Sequence, residues 1–90
     1  MDTQDKIVLI VENDTGIANM IRAILGIVNV PVVHVQLGED ATKALKEYSV
    51  GLIICEKELQ DMNGYEFLKK VRGNVATNQV PFIMLVSEKD

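Results

Sequence analysis

Three polar clusters follow directly on apolar runs: Glu12-Asn13-Asp14 after Lys6–Val11, Glu56-Lys57-Glu58 after Val50–Cys55, and Val86-Ser87-Glu88 at the end of Pro81–Val86. Carboxylates gathered at one end of a fold suit a hard cation, because Mg²⁺ takes a few carboxylates together with carbonyls and waters. The plain alternative is a set of solvated loop acids. The other chemistry-bearing residues are sparse. The single cysteine, Cys55, forms no internal disulfide and no cysteine-based metal cluster, and it closes an apolar run where inert packing is expected. His34 lies among valines with no acid or nucleophile beside it in sequence and is expected to be structural. Lys69, Lys70 and Arg72 make a short basic patch that reads as a solvated face, and Met20, Met62 and Met84 are expected to fill core.

The clusters need elements to position them. Lys6–Val11, Val30–Val35, Val50–Cys55 and Pro81–Val86 are β-branched, nearly continuous apolar runs, as expected of strands covered on both faces. Pro31 and Pro81 stand near strand starts, where a missing N–H is tolerated. Thr15–Val28 places Ile17, Met20, Ile21, Ile24, Leu25 and Val28 at helical spacing, with Asp14 as its N-cap. A second helix begins near Glu39–Asp40, with Ala41, Ala44, Leu45 and Tyr48 on its apolar face. A third follows Gly64, with Tyr65, Phe67, Leu68 and Val71 apolar, and Gly73 ends it. The order β-α-β-α-β-α-β with right-handed crossovers gives a doubly wound parallel α/β sheet. In such sheets the ligand site forms at the carboxyl ends of the strands, where the three clusters fall.

Ninety residues make one domain. The 48% apolar and 24% charged content is that of a folding chain. A net charge of −4 opposes sequence-independent contact with nucleic acid or an anionic membrane. No apolar run approaches the ~20 residues of a membrane helix, and MDTQDK lacks the basic-then-apolar pattern of a secretory signal. A cytoplasmic location is expected.

The segments KIVLIVEND, GEDATKAL, LIICEKELQDMNGYEFLKKVR and VPFIMLVS resemble, in order and spacing, the receiver domain of bacterial response regulators, and Leu59–Gly64 is the most specific of these matches. The resemblance runs from Lys6 onward, leaving residues 1–5 as an N-terminal tail and 6–90 as a receiver domain. It implies a flavodoxin-like, CheY-like fold with four strands in the order 2-1-3-4 and three helices. It also implies that a closing helix, strand and helix are missing. In the family the first strand ends in two adjacent acids that organise Mg²⁺, the third in the Asp that accepts phosphate from a histidine kinase, and the fourth in a Thr or Ser. Here those positions are Glu12 and Asn13, Glu56, and Val86.

The departures imply a degenerate receiver. Glu56 is one methylene longer than Asp, Asn13 replaces an anionic ligand by an amide, and Val86 cannot hydrogen-bond a phosphoryl oxygen. Ser87 carries a hydroxyl, but strand alternation turns it to the other face. Any Mg²⁺ should be held weakly, by Glu12, Glu56 and Glu58, and no other cofactor is expected. The expected function is a non-enzymatic signalling module of two-component phosphorelays that works by protein contact without phosphorylation, with Glu56 as a fixed negative charge. Its partner is another protein or a second copy met through the fourth strand, a dimer, with no nucleic acid or membrane involved. The competing readings are an active phosphoacceptor with altered metal needs and the N-terminal part of a longer response regulator. A flavodoxin-type FMN site is the enzyme alternative, through Thr15 and Gly16, but Glu12 and Asp14 would repel its phosphate.

Overall fold

The computed structural model describes residues 6–86. The elements run β1 (Ile7–Val11), α1 (Thr15–Ile27), β2 (Val32–Val35), α2 (Gly38–Glu47), β3 (Val50–Glu56), α3 (Gly64–Arg72) and β4 (Phe82–Leu85). The four strands are parallel in the order β2-β1-β3-β4, as expected from the sequence. Val11 pairs with both Val35 and Cys55, and Glu56 with Leu85, so the polar clusters emerge together at one end of the sheet. β2 starts at Val32 and β4 stops at Leu85, which leaves Val86 just past its strand. Ser87 and Glu88 lie outside the described residues.

Each helix end has its own chemistry. Asp14 caps α1 by accepting from Gly16 N–H at 2.8 Å and Ile17 N–H at 3.1 Å. The other end of α1 closes through Asn29, at φ 58, with Asn29 N–H donating to the Gly26 carbonyl and Val30 N–H to the Leu25 carbonyl. This is a Schellman closure with asparagine in the left-handed position. Asn63 and Glu66 form a reciprocal capping box on α3. Gly73 ends α3 as expected, but at φ −81, so its freedom to turn left-handed is unused. The turn is secured instead by buried Thr77, whose hydroxyl donates to the Val71 carbonyl at 2.8 Å. α2 and α3 carry acids in their first turns (Glu39, Asp40; Glu66) and bases in their last (Lys46; Lys69, Lys70, Arg72), matching the helix dipole.

Two cores flank the sheet. On one face Leu9, Val11, Ile53 and Cys55 pack with Ala41 and Ala44 of α2 and with Phe67 and Val71 of α3. On the other, Val8, Ile10 and Ile54 meet Ala18 of α1, helped by Ile21 and Leu25. On this second face α1 is the only helix among the described residues, and its apolar pattern is less buried than expected. Its expected core residues Ile17, Met20, Ile24 and Val28 are exposed, and only Ala18 of that helix is fully buried. Tyr48 and Tyr65 are likewise exposed rather than packed. Met62 and Met84 are half-buried and do fill gaps, Met62 against Gly38 and Met84 against Gly64.

Candidate functional site

The pairing of Val11 with Cys55 sets Glu12 and Glu56 side by side at the tips of the two central strands. Glu12 is only 2% exposed. Its backbone is fixed by Glu12 N–H donating to the Val35 carbonyl at 3.0 Å. Its carboxylate accepts Asp14 N–H at 3.1 Å, which ties the acid to the start of α1. His34 is half-buried, and its Nε2 lies 2.8 Å from the Glu12 carbonyl oxygen. A carbonyl only accepts, so Nε2 carries the proton and His34 acts as a brace for the Glu12 backbone.

Glu56 is half-buried beside Glu12. Burial, a hydrogen bond from its carboxyl to Glu12 and the charge of Glu12 push it up from 4.5 to about 8, against a hydrogen bond from the Asn13 backbone that favours its charged form. Two neighbouring carboxyls repel when both are charged, so Glu56 holds its proton more tightly than a free glutamate. The raised Glu56 carboxyl is a weaker negative charge near neutrality than the sequence reading expects. The Cys55 thiol is buried, and desolvation together with Glu56 and Glu12 pushes it up to about 12, which leaves it an inert packing group.

Of the remaining expected site residues, Asn13 meets Glu56 through its backbone N–H. The Asn13 side chain is exposed, and Val86 is exposed past the end of β4 with no hydroxyl to offer. Glu58 is exposed too, and it bridges in strand fashion to Asn63. Among the described residues no three His, Cys, Asp or Glu side chains are grouped to hold a metal ion, so Glu12, Glu56 and Glu58 do not form the expected ligand set. Glu12 and Glu56 are the two carboxyls set together, and the raised Glu56 must lose its proton before it can hold Mg²⁺.

The loop from Lys57 to Asn63 holds a residue that sequence reasoning missed. Asp61 accepts Gly38 N–H at 2.8 Å and Glu39 N–H at 2.9 Å, one on each oxygen. The N-cap position of α2 is Leu37, which has no side-chain cap to give, so Asp61 caps the helix from 23 residues away. Burial works to raise the Asp61 carboxyl, but the backbone N–H groups of Glu39, Gly38 and Asp61 itself together hold it below the usual range. The loop is closed by Gly64 N–H donating to the Lys57 carbonyl at 2.6 Å and Leu59 N–H to the Met62 carbonyl at 3.1 Å. A side chain at Gly64 would come 2.5 Å from the Glu56 carbonyl, so only glycine fits under the tip of β3.

Comparison with known proteins agrees with this geometry. A family model described as the response regulator receiver domain matches residues 8–90. The chain is 32% identical over 83 residues to the regulatory protein VanRB of Enterococcus faecalis, covering 92% of this chain and 36% of that protein. Among solved structures, the chemotaxis response regulator CheY4 of Vibrio cholerae superposes with a TM-score of 0.88 at 25% identity, over 97% of this chain and 72% of that one. A signal receiver domain of a histidine kinase from Syntrophus aciditrophicus does so with a TM-score of 0.86 at 27% identity, over 94% and 64%. The chain spans 25 to 36% of the length of the curated relatives it matches.

Proposed function

Since the chain belongs to the response regulator receiver domain family, we propose that it is a receiver whose phosphoacceptor chemistry has lapsed and which signals by protein contact. The observation that carries this reading is the glutamate in the acceptor position, Glu56, set beside the buried Glu12 by the pairing of Val11 with Cys55. A carboxylate accepts a phosphoryl group only as the free anion, lined up with the donor and with the developing charge neutralised. Here burial and the neighbouring Glu12 raise the carboxyl in the acceptor position, which favours its protonated form over the free anion. The amide of Asn13 withholds an anionic metal ligand, and Val86 withholds the hydroxyl that would meet a phosphoryl oxygen. No cofactor and no enzymatic step are part of this reading. None of the helices among the described residues is long and apolar enough to cross a membrane. The contact element is β4, an edge strand among the described residues, which offers its backbone and the exposed Ile83 to a partner protein or a second copy.

Incubation with acetyl phosphate and Mg²⁺, followed by intact mass measurement, tests the proposal. No added phosphoryl group is expected. A gain of one would establish the competing reading, an active phosphoacceptor with altered metal needs. Glu56→Asp alone should not restore acceptance, because Asn13 and Val86 remain.

A further inference from the structure

The fold gathers lysines that lie far apart in the sequence. α2 and α3 touch side by side over Leu9, Val11 and Ile53. Between them runs a groove of about 460 Å³, lined by Glu39, Lys43 and Lys46 of α2, Asp61 and Met62 of the loop before α3, and Lys70 of α3. Lys43 and Lys46 stand three residues apart and so project from one side of α2, and Lys70 meets the same groove from α3. All three lysines are exposed. The nearby acids do not match them. Both oxygens of Asp61 already accept the N–H groups of Gly38 and Glu39. Glu66, one turn before Lys70, is drawn to the Asn63 N–H at 3.2 Å by the capping box of α3. Glu39, one turn before Lys43, can serve one lysine at most. Positive charge is therefore left over in this groove, on a chain whose net charge is −4. The floor is apolar. Met62 is half-buried and lies against Gly38, where an added Cβ would come 2.5 Å from its sulfur. A thioether on a flexible stem adapts to whatever side chain meets it.

We propose that this groove binds an acidic segment of a partner protein, its carboxylates meeting Lys43, Lys46 and Lys70 and an apolar side chain resting on Met62. Charge complementarity selects the occupant. Nucleic acid carries a charge at every step, so its backbone would run onto Glu39 and Asp61 in the same groove, and the net charge of −4 opposes it as well. A peptide places its acids only where the lysines stand and can set a neutral residue beside Glu39. Contacts between exposed charges are individually weak, so the complex is transient, quick to form and sensitive to salt. The inference goes beyond the proposed function. It adds a contact surface built from residues outside β4 and outside the Glu12–Glu56 pair, and it stands whether or not Glu56 accepts phosphate.

Fluorescence anisotropy tests it, with a short fluorescein-labelled peptide of Glu-Glu-Leu repeats titrated with the 90-residue chain at low and at physiological salt. Circular dichroism confirms that each variant is folded. Saturable binding is expected, weakening as salt is added. Lys43→Glu, Lys46→Glu and Lys70→Glu, all at exposed positions, should each weaken it by roughly threefold to tenfold. Arg22→Glu makes the same change in net charge at an exposed position of α1, across the sheet, and should have a much smaller effect. A peptide of Glu-Glu-Ser repeats should bind less tightly and be indifferent to Met62→Ala, which should weaken the leucine peptide. No binding at low salt, lysine variants no weaker than Arg22→Glu, or tighter binding of a single-stranded RNA oligonucleotide than of the peptide would each overturn the inference. None of these outcomes bears on the acetyl phosphate test above.

Discussion

Removing the titratable proton between Glu12 and Glu56, by Glu56→Gln, should flatten the pH dependence of stability. The Glu56 carboxyl is raised from 4.5 to about 8 by burial and by Glu12. A raised acid contributes stability that is fully present below its unfolded value and is lost as pH climbs through the folded value. The wild-type chain should therefore weaken between those two values, once Glu12 and Glu56 are forced to ionise together. At ~1.4 kcal/mol per unit the whole shift would amount to about 5 kcal/mol. Glu56 stands at a half-open rim, where water screens the pair, and the expected loss is about 1–2 kcal/mol. A glutamine amide can donate to Glu12 at every pH. The variant should match the wild type near about pH 5 and exceed it by about 1–2 kcal/mol near about pH 9. Urea unfolding followed by circular dichroism, with a chelator present so that the carboxyls titrate alone, measures both. The Cys55 thiol, raised to about 12, adds no titration in this window. A wild type equally stable at both ends, or a glutamine variant that loses as much, would refute the argument that burial and Glu12 raise the Glu56 carboxyl.

Loss of the remote cap by Asp61→Ala should cost about 1–2 kcal/mol in the same unfolding assay, and Asp61→Asn, which keeps one acceptor oxygen, about half of that. Gly64→Ala drives a methyl against the Glu56 backbone carbonyl and should cost about 2 kcal/mol or more. Gly38→Ala should cost less, since the atoms it meets belong to the flexible Met62 side chain. Titration calorimetry should find no saturable Mg²⁺ binding in the micromolar range, and a micromolar site would show that Glu56 gives up its proton to a metal readily.

The parallel sheet was legible in the near-continuous apolar runs alternating with helices, while the strand order, and with it the juxtaposition of Glu12 with Glu56, came from the resemblance to receiver domains. The state of that pair was legible in neither. Whether an acid at a strand tip is a charge or a proton donor depends on the burial of its neighbour, which the burial of Glu12 decides. Asp61 was invisible for a different reason: its partners Gly38 and Glu39 lie far away in sequence. The amphipathic pattern of α1 was read correctly as a helix and wrongly as one buried stripe. Ala18, Ile21 and Leu25 already serve the sheet, and the larger side chains at Met20 and Ile24 stay exposed.

The charges at the helix ends have a consequence beyond capping. In a parallel sheet with crossover helices, every helix starts at the strand tips, so Glu39, Asp40 and Glu66 gather at the same pole as Asp14, Glu12 and Glu56, while Lys46, Lys69, Lys70 and Arg72 gather at the opposite one. The molecule is an electrical rod with unlike ends ~15 Å apart, farther than the ~8 Å over which physiological salt lets charges feel one another. An approaching macroion therefore senses one pole at a time and exerts a torque. A cationic surface turns the strand tips toward itself, and an anionic one turns the helix ends. The chain thus meets its surroundings already oriented, before any contact forms, and adding salt should slow that oriented encounter without altering the fold.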